Sequence, residues 1–193
     1  MIRTAALIAA LLICGQAAAQ EIVSVTTPLS LDKCQHKAGT QEEDYGAWRC
    51  RGYRSIPVFV SAGDQRSYVS YGRLAANEPA ARQTLASFNG AGDAIEWRAV
   101  RGKDGKLKPF ATIVRFSVTK SAGDPPAKGA VLVVTRLGKP VCRVGYVDAL
   151  ANPDAETLAR KIADEHARTF QCQGSKPIFL GEQGPGFSGP YEE

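Results

Sequence analysis

The stretch Phe110-Ala111-Thr112-Ile113-Val114-Arg115-Phe116-Ser117-Val118 decides the fold class. It places Phe110, Thr112, Val114, Phe116 and Val118 on one face of an extended chain and Ala111, Ile113, Arg115 and Ser117 on the other. A period of two is the signature of a β-strand. Its neighbours repeat the signal. Ile95–Val100 alternates and is followed by the turn dipeptide Asp104-Gly105, while Ala130–Leu137 is strongly apolar. After Gly138-Lys139 the chain returns through Val141–Val147. Consecutive strands joined by short turns read as an antiparallel meander at the centre of a sheet.

Upstream, Glu21–Thr27 and Ala47–Arg51 alternate as strands. Ile56–Val60 and Arg66–Tyr71 follow, joined by a turn at Ser61–Asp64 whose Gly and Asp suit a tight reversal. Between the two β blocks, Asn77-Glu78-Pro79 offers a cap and a first-turn proline. Leu85 and Phe88 share one helical face, and Asn89-Gly90 stops the run, which predicts a short mid-chain helix. Gly90–Asp93 and Lys120–Lys128 read as loops.

Asn152-Pro153-Asp154 opens a longer helix reaching about Phe170, with Leu158, Ile162 and Phe170 in its apolar stripe. Its polar side carries Glu156 and Arg160, then Asp164 and Arg168, each pair four apart. The expectation is an α+β fold, a meander with a short and a long helix packed on it. One domain spans residues 20–173, and a Gly/Pro-rich flexible tail follows over 174–193.

The first nineteen residues carry Arg3, an apolar run from Ala5 to Ile13, and small residues up to Ala19. These are the parts of a secretory signal peptide, with cleavage expected after Ala19. Cys14 admits a lipoprotein reading, but Ile13 is not the small residue that processing wants before the cysteine. The localisation implied is periplasmic or secreted, with no transmembrane segment in the mature chain. The formal charge of +5 is spread along the chain without a block of like charges.

The mature chain then holds Cys34, Cys50, Cys142 and Cys172. An even set in an oxidising compartment reads as two disulfides, and four cysteines allow three pairings. The local one, Cys34–Cys50 with Cys142–Cys172, is the one expected. Cys34, His36 and Cys50 do not complete a zinc ligand set, so no metal and no cofactor is implied.

No catalytic motif is legible. His166 lies inside Asp164-Glu165-His166, where neighbouring helical residues point apart, and no G-x-S-x-G elbow or phosphate-binding glycine loop is present. Aromatic and basic residues interleave in the strands, which nominates Trp48, Tyr68, Tyr71, Trp97 and Arg98 as a binding surface. The competing reading makes the aromatics core and the arginines the outward half of the alternation.

The segments Gly46–Gly52, Val69–Gly72 and Val144–Ala155 resemble a family of small exported bacterial proteins, a resemblance that implies no activity, cofactor or catalytic residue. Tyr45-Gly46-Ala47-Trp48 is similar to a motif of the invasion-associated exported family. Three functions remain: a non-catalytic module contacting an envelope protein or a glycan, a structural envelope protein, and a carboxylate-based hydrolase of envelope polymers. Nucleic acid is not an expected partner.

Overall fold

A computed structural model describes residues 20–38, 45–120 and 127–192. The expected signal segment, the acidic stretch Glu42-Glu43-Asp44 and most of the loop after Lys120 lie outside the described residues. In chain order the strands are β1 Ile22–Pro28, β2 Gln35–Ala38, β3 Tyr45–Arg51, β4 Pro57–Gly63, β5 Arg66–Tyr71 and β6 Gln83–Leu85. They continue as β7 Phe88–Arg101, β8 Leu107–Lys120, β9 Ala127–Arg136 and β10 Cys142–Asp148. Helix α1 spans Ala155–His166 and is followed by β11 Ile178–Phe179 and β12 Pro190–Glu192.

The expected meander is present as β7-β8-β9-β10, each pair antiparallel, with β1 added at one edge and β11, parallel, at the other. The period of two in β8 separates two cores. Val114, Phe116 and Val118 pack toward the second sheet, β2-β3-β4-β5, together with Ile95, Trp97, Val131 and Val133. Ala111 and Ile113 face the opposite way, with Leu132, Val134 and Val144, against Ala155, Ala159, Ile162 and Ala163 of α1. The six-stranded sheet is therefore the middle of three layers, buried on both faces. That is why β9 and β10 read as near-continuous apolar runs instead of alternating.

Both disulfides follow the local pairing: Cys34–Cys50 and Cys142–Cys172. The first ties the start of β2 to β3. The second ties β10 to the chain just beyond α1.

Four expectations are corrected. The mid-chain helix does not form. Glu78 precedes Pro79 and is held extended (φ −79°, ψ 151°), as proline's ring demands of the residue before it. Two 3₁₀ turns, Ala75–Asn77 and Pro79–Ala81, replace the helix, and Gln83–Leu85 then becomes a strand. The Thr84 hydroxyl donates to the Ser67 carbonyl (2.6 Å), and Asn89, the expected stop signal, accepts from the Ser67 amide (3.1 Å). Long-range partners outbid a weak two-residue apolar stripe.

The tail is the second correction. Residues 174–192 run as a strap against the domain, with two short paired strands. β11 pairs with Gly145 and Tyr146, and Phe179 stacks on Tyr146 at 5.6 Å. Asn152 clasps both backbone groups of Glu182 (2.9 and 2.8 Å), and the Gly184 amide donates to Asp148 (2.8 Å). Gly129 and Gly186 meet backbone to backbone, so closely that a Cβ on Gly129 would stand 2.0 Å from the Gly186 oxygen. β12 closes the strap by pairing with β6. Glycine is here an instrument of close approach, not of flexibility.

Thirdly, Gly90–Asp93 is not a loop but part of β7, marked by a register break between Ala91 and Ile95. β4 likewise extends through Ser61–Gly63, so the hairpin turn is Asp64-Gln65, both at positive φ (47° and 56°). Two such residues give the turn whose twist matches paired strands. The fourth correction concerns α1, which ends at His166, four residues short of Phe170. The expected pairs Glu156–Arg160 and Asp164–Arg168 are not ion pairs among the described residues; the helix reaches the sheet instead, Glu156 with Arg115 (2.5 Å), Arg160 with Glu96 (2.7 Å) and Asp164 with Arg98 (2.6 Å).

Candidate functional site

The four-stranded sheet turns one face to the core through Trp48, Cys50, Val58, Val60, Val69 and Tyr71. By alternation the other face carries Tyr45, Ala47, Arg49 and Arg51 of β3, Pro57, Phe59 and Ser61 of β4, and Tyr68 and Ser70 of β5. The register sets these in rows, with Arg49 opposite Phe59 opposite Ser70, and Ala47 opposite Ser61 opposite Tyr68. Directly opposed side chains on one face lie within contact reach. The segment after β5 folds over part of this face and supplies Arg73 and Leu74 at its margin.

Three adjoining depressions result, each sharing lining residues with the next. One of about 620 Å³ is lined by Lys33, Arg49, Arg51 and the Cys34–Cys50 bridge. Arg49 and Pro57 lead to a smaller one of about 120 Å³, bordered by Arg73 and Leu74. Phe59 and Ala76 lead on to a third of about 630 Å³, lined also by Tyr45, Ser61 and Tyr68. Lys33, Arg49, Arg51 and Arg73 make no ion pair among the described residues. Among the described residues, the one acid lining any of the three depressions is Asp64, which is paired with Arg66. Leu74 (60 % exposed) and Tyr45 (46 %) stand open to solvent beside them.

At the rim, Arg54 and Ser55 are both left-handed (φ 51° and 61°). Non-glycine residues seldom adopt that conformation unless the surroundings impose it. Gly52 just before them lies against Trp97, where a Cβ would come within 2.4 Å of the ring. The rim is thus fixed from below by the core.

The five residues nominated from sequence do not form one surface. Trp97 (0 % exposed) and Tyr71 (1 %) meet edge-on in the core at 5.6 Å. Trp48 packs on the margin of that core and stacks on His36 at 4.8 Å. Arg98 lies on the far face of the central sheet, bound to Asp164. Tyr68 alone lines the outer depressions. The aromatics-as-core reading holds for Trp97 and Tyr71, and the arginine half of the alternation supplies the site through Arg49 and Arg51. Parity could have revealed this, because Val58 and Val60 place Phe59 outward. Lys33, Arg73 and Leu74 carry no such periodic signal.

A second charged cluster links β7 to α1. Arg98 donates to Ser24 and Asp164, while Glu96 accepts from Ser24 and from Arg160. Burial pushes the Glu96 carboxyl up, but hydrogen bonds from Arg160 and Ser24 and the charges of Arg160 and Arg98 outweigh it, so its pKa lies below the ordinary 4.5. A lowered folded value means stabilisation present above the unfolded pKa and lost as pH falls through the folded one. Glu96→Gln is therefore expected to lower stability at neutral pH and to flatten its decline below about pH 4.5. Urea midpoints across an acid series read this directly, and parallel curves for the two proteins would contradict it. A carboxylate held ionised by two arginines is a poor general acid.

No protein family, curated protein or solved structure matches the chain. No helix among the described residues is long and apolar enough to cross a membrane.

Proposed function

We propose that the protein is an extracytoplasmic, non-catalytic binding module that holds an acidic glycan along the outer face of β3, β4 and β5. The observation that carries this reading is the set of four cations without acidic partners among the described residues, around adjoining depressions lined by Phe59 and the exposed Tyr45, with Tyr68 buried. Arginine forks suit carboxylates, and flat aromatic groups offer a surface for sugar rings. Two disulfides fit an oxidising compartment, where such polymers occur. Hydrolysis finds less support: among the described residues, none of the three depressions is lined by two carboxylates, the pair a glycosidase needs.

The test is affinity electrophoresis and calorimetry with polygalacturonate as the acidic polymer and dextran as the neutral one. The full chain should bind polygalacturonate, with affinity falling as salt rises, because exposed charges are screened. Arg49→Glu and Arg73→Glu should each weaken binding about tenfold, roughly 1.4 kcal/mol. Equal retention by dextran, or indifference to both reversals, would sink the reading.

A further inference from the structure

Arg143 is buried (3 % exposed) yet makes no ion pair among the described residues. Its guanidinium donates to neutral acceptors only, to Thr135 Oγ1 at 2.8 Å and to the Gln83 carbonyl through two long bonds of 3.4 and 3.3 Å. The Phe116 ring lies beneath it at 5.5 Å. A buried charge without a counter-charge is costly, and an anion beside it would offset that cost. Beside it lies an open-sided cavity of about 270 Å³, lined by Arg143, Tyr146 and Gln83 and by residues of the strap.

We propose that this cavity binds a small organic monocarboxylate, whose carboxyl group pairs with Arg143 and accepts from the Tyr146 hydroxyl. One cation matches one negative charge, whereas a phosphate dianion would remain half-compensated. Phe170 and Pro177 line the cavity and suit a flat apolar body. The volume is just under the ~300–1,000 Å³ of drug-sized sites, which restricts the ligand to a small acid. Burial pushes the Tyr146 hydroxyl up to about 12, keeping it a donor at neutral pH. Glu192 on β12 stands at the mouth, 3.5 Å from Gln83 Nε2, and is the chain's own competing carboxylate.

Benzoate is the probe, titrated into the full chain by calorimetry with inorganic phosphate alongside. One benzoate should bind per chain, more tightly than phosphate. Tyr146→Phe keeps the ring on Phe179 and should weaken benzoate at least about tenfold. Glu192→Gln should tighten it, Arg143→Met should abolish it, and Lys106→Gln in the turn between β7 and β8 should change nothing. If Arg143→Met does not fold, the Tyr146 and Glu192 variants still decide. A purely structural Arg143 and Tyr146 would shift thermal stability while leaving benzoate affinity equal in all variants. That result, absence of benzoate binding at about 10 mM, or tighter phosphate binding would overturn the proposal.

Discussion

Trp97→Ala is expected to destabilise the protein by about 3–5 kcal/mol, a large part of the ~5–15 kcal/mol that a domain of this kind has. Trp97 is fully buried and sits where the two sheets meet, in contact with Tyr71 (5.6 Å) and Tyr53 (6.4 Å). Its indole N–H donates to Thr27 Oγ1 at 2.8 Å, tying β7 to β1 by side chain as well as by backbone. Removing the indole leaves a cavity and an unpartnered hydroxyl, and Gly52 loses the surface it rests on. Because Gly52 leads into the rim of the basic face, the proposed binding of polygalacturonate should also weaken in the residual folded protein. Urea unfolding measures the loss, with the midpoint falling and the slope unchanged. Trp48→Ala is the control, since Trp48 sits at the core margin and should cost much less. A Trp97 variant within about 1 kcal/mol of the native chain would mean that the sheets do not pack through this ring.

The second large effect is expected from opening the Cys142–Cys172 bridge. Its cysteines are 30 apart in sequence, against 16 for Cys34–Cys50. In the chain-entropy account a loop of that length contributes about 3.5 kcal/mol, and the shorter one about 3 kcal/mol. Replacing both cysteines by alanine should therefore lower the melting temperature by roughly 7–14 °C for a chain of this size. The loss should fall hardest on the strap, because Cys172 is its anchor between α1 and β11. Hydrogen exchange would then show the amides of Phe179, Glu182 and Gly184 losing protection ahead of the central sheet. Unchanged exchange in that segment would show that Asn152, Asp148 and β12 hold the strap unaided.

The meander and the long helix were legible because their signals are local and repeated. Nine alternating residues in Phe110–Val118 specify a strand whatever lies around them, and the capped stripe from Asn152 specifies a helix. The disulfide pairing was narrowed to three possibilities, with the local one favoured, and the structure has that one. The proposed binding face was half legible. Interleaved arginines and aromatics announced two-faced strands, but which parity faced outward was assigned only once the six-stranded sheet covered Val58 and Val60.

What the sequence determined by itself is thus the β-rich frame, its one long helix and its four bridging cysteines, all encoded by short-range periodicity and composition. Tertiary structure decided the rest. Residues 83–85 became a strand because β12 offers them a ladder, and the Gly/Pro-rich end became a strap because Gly186 can lie against Gly129. The helix acids and bases turned from one another to Arg98, Glu96 and Arg115, partners 41 to 66 positions away. Arg143 acquired its cavity in the same way, from elements far apart along the chain. The physical reason is common to all of them: a pairing between distant segments leaves no period in either one.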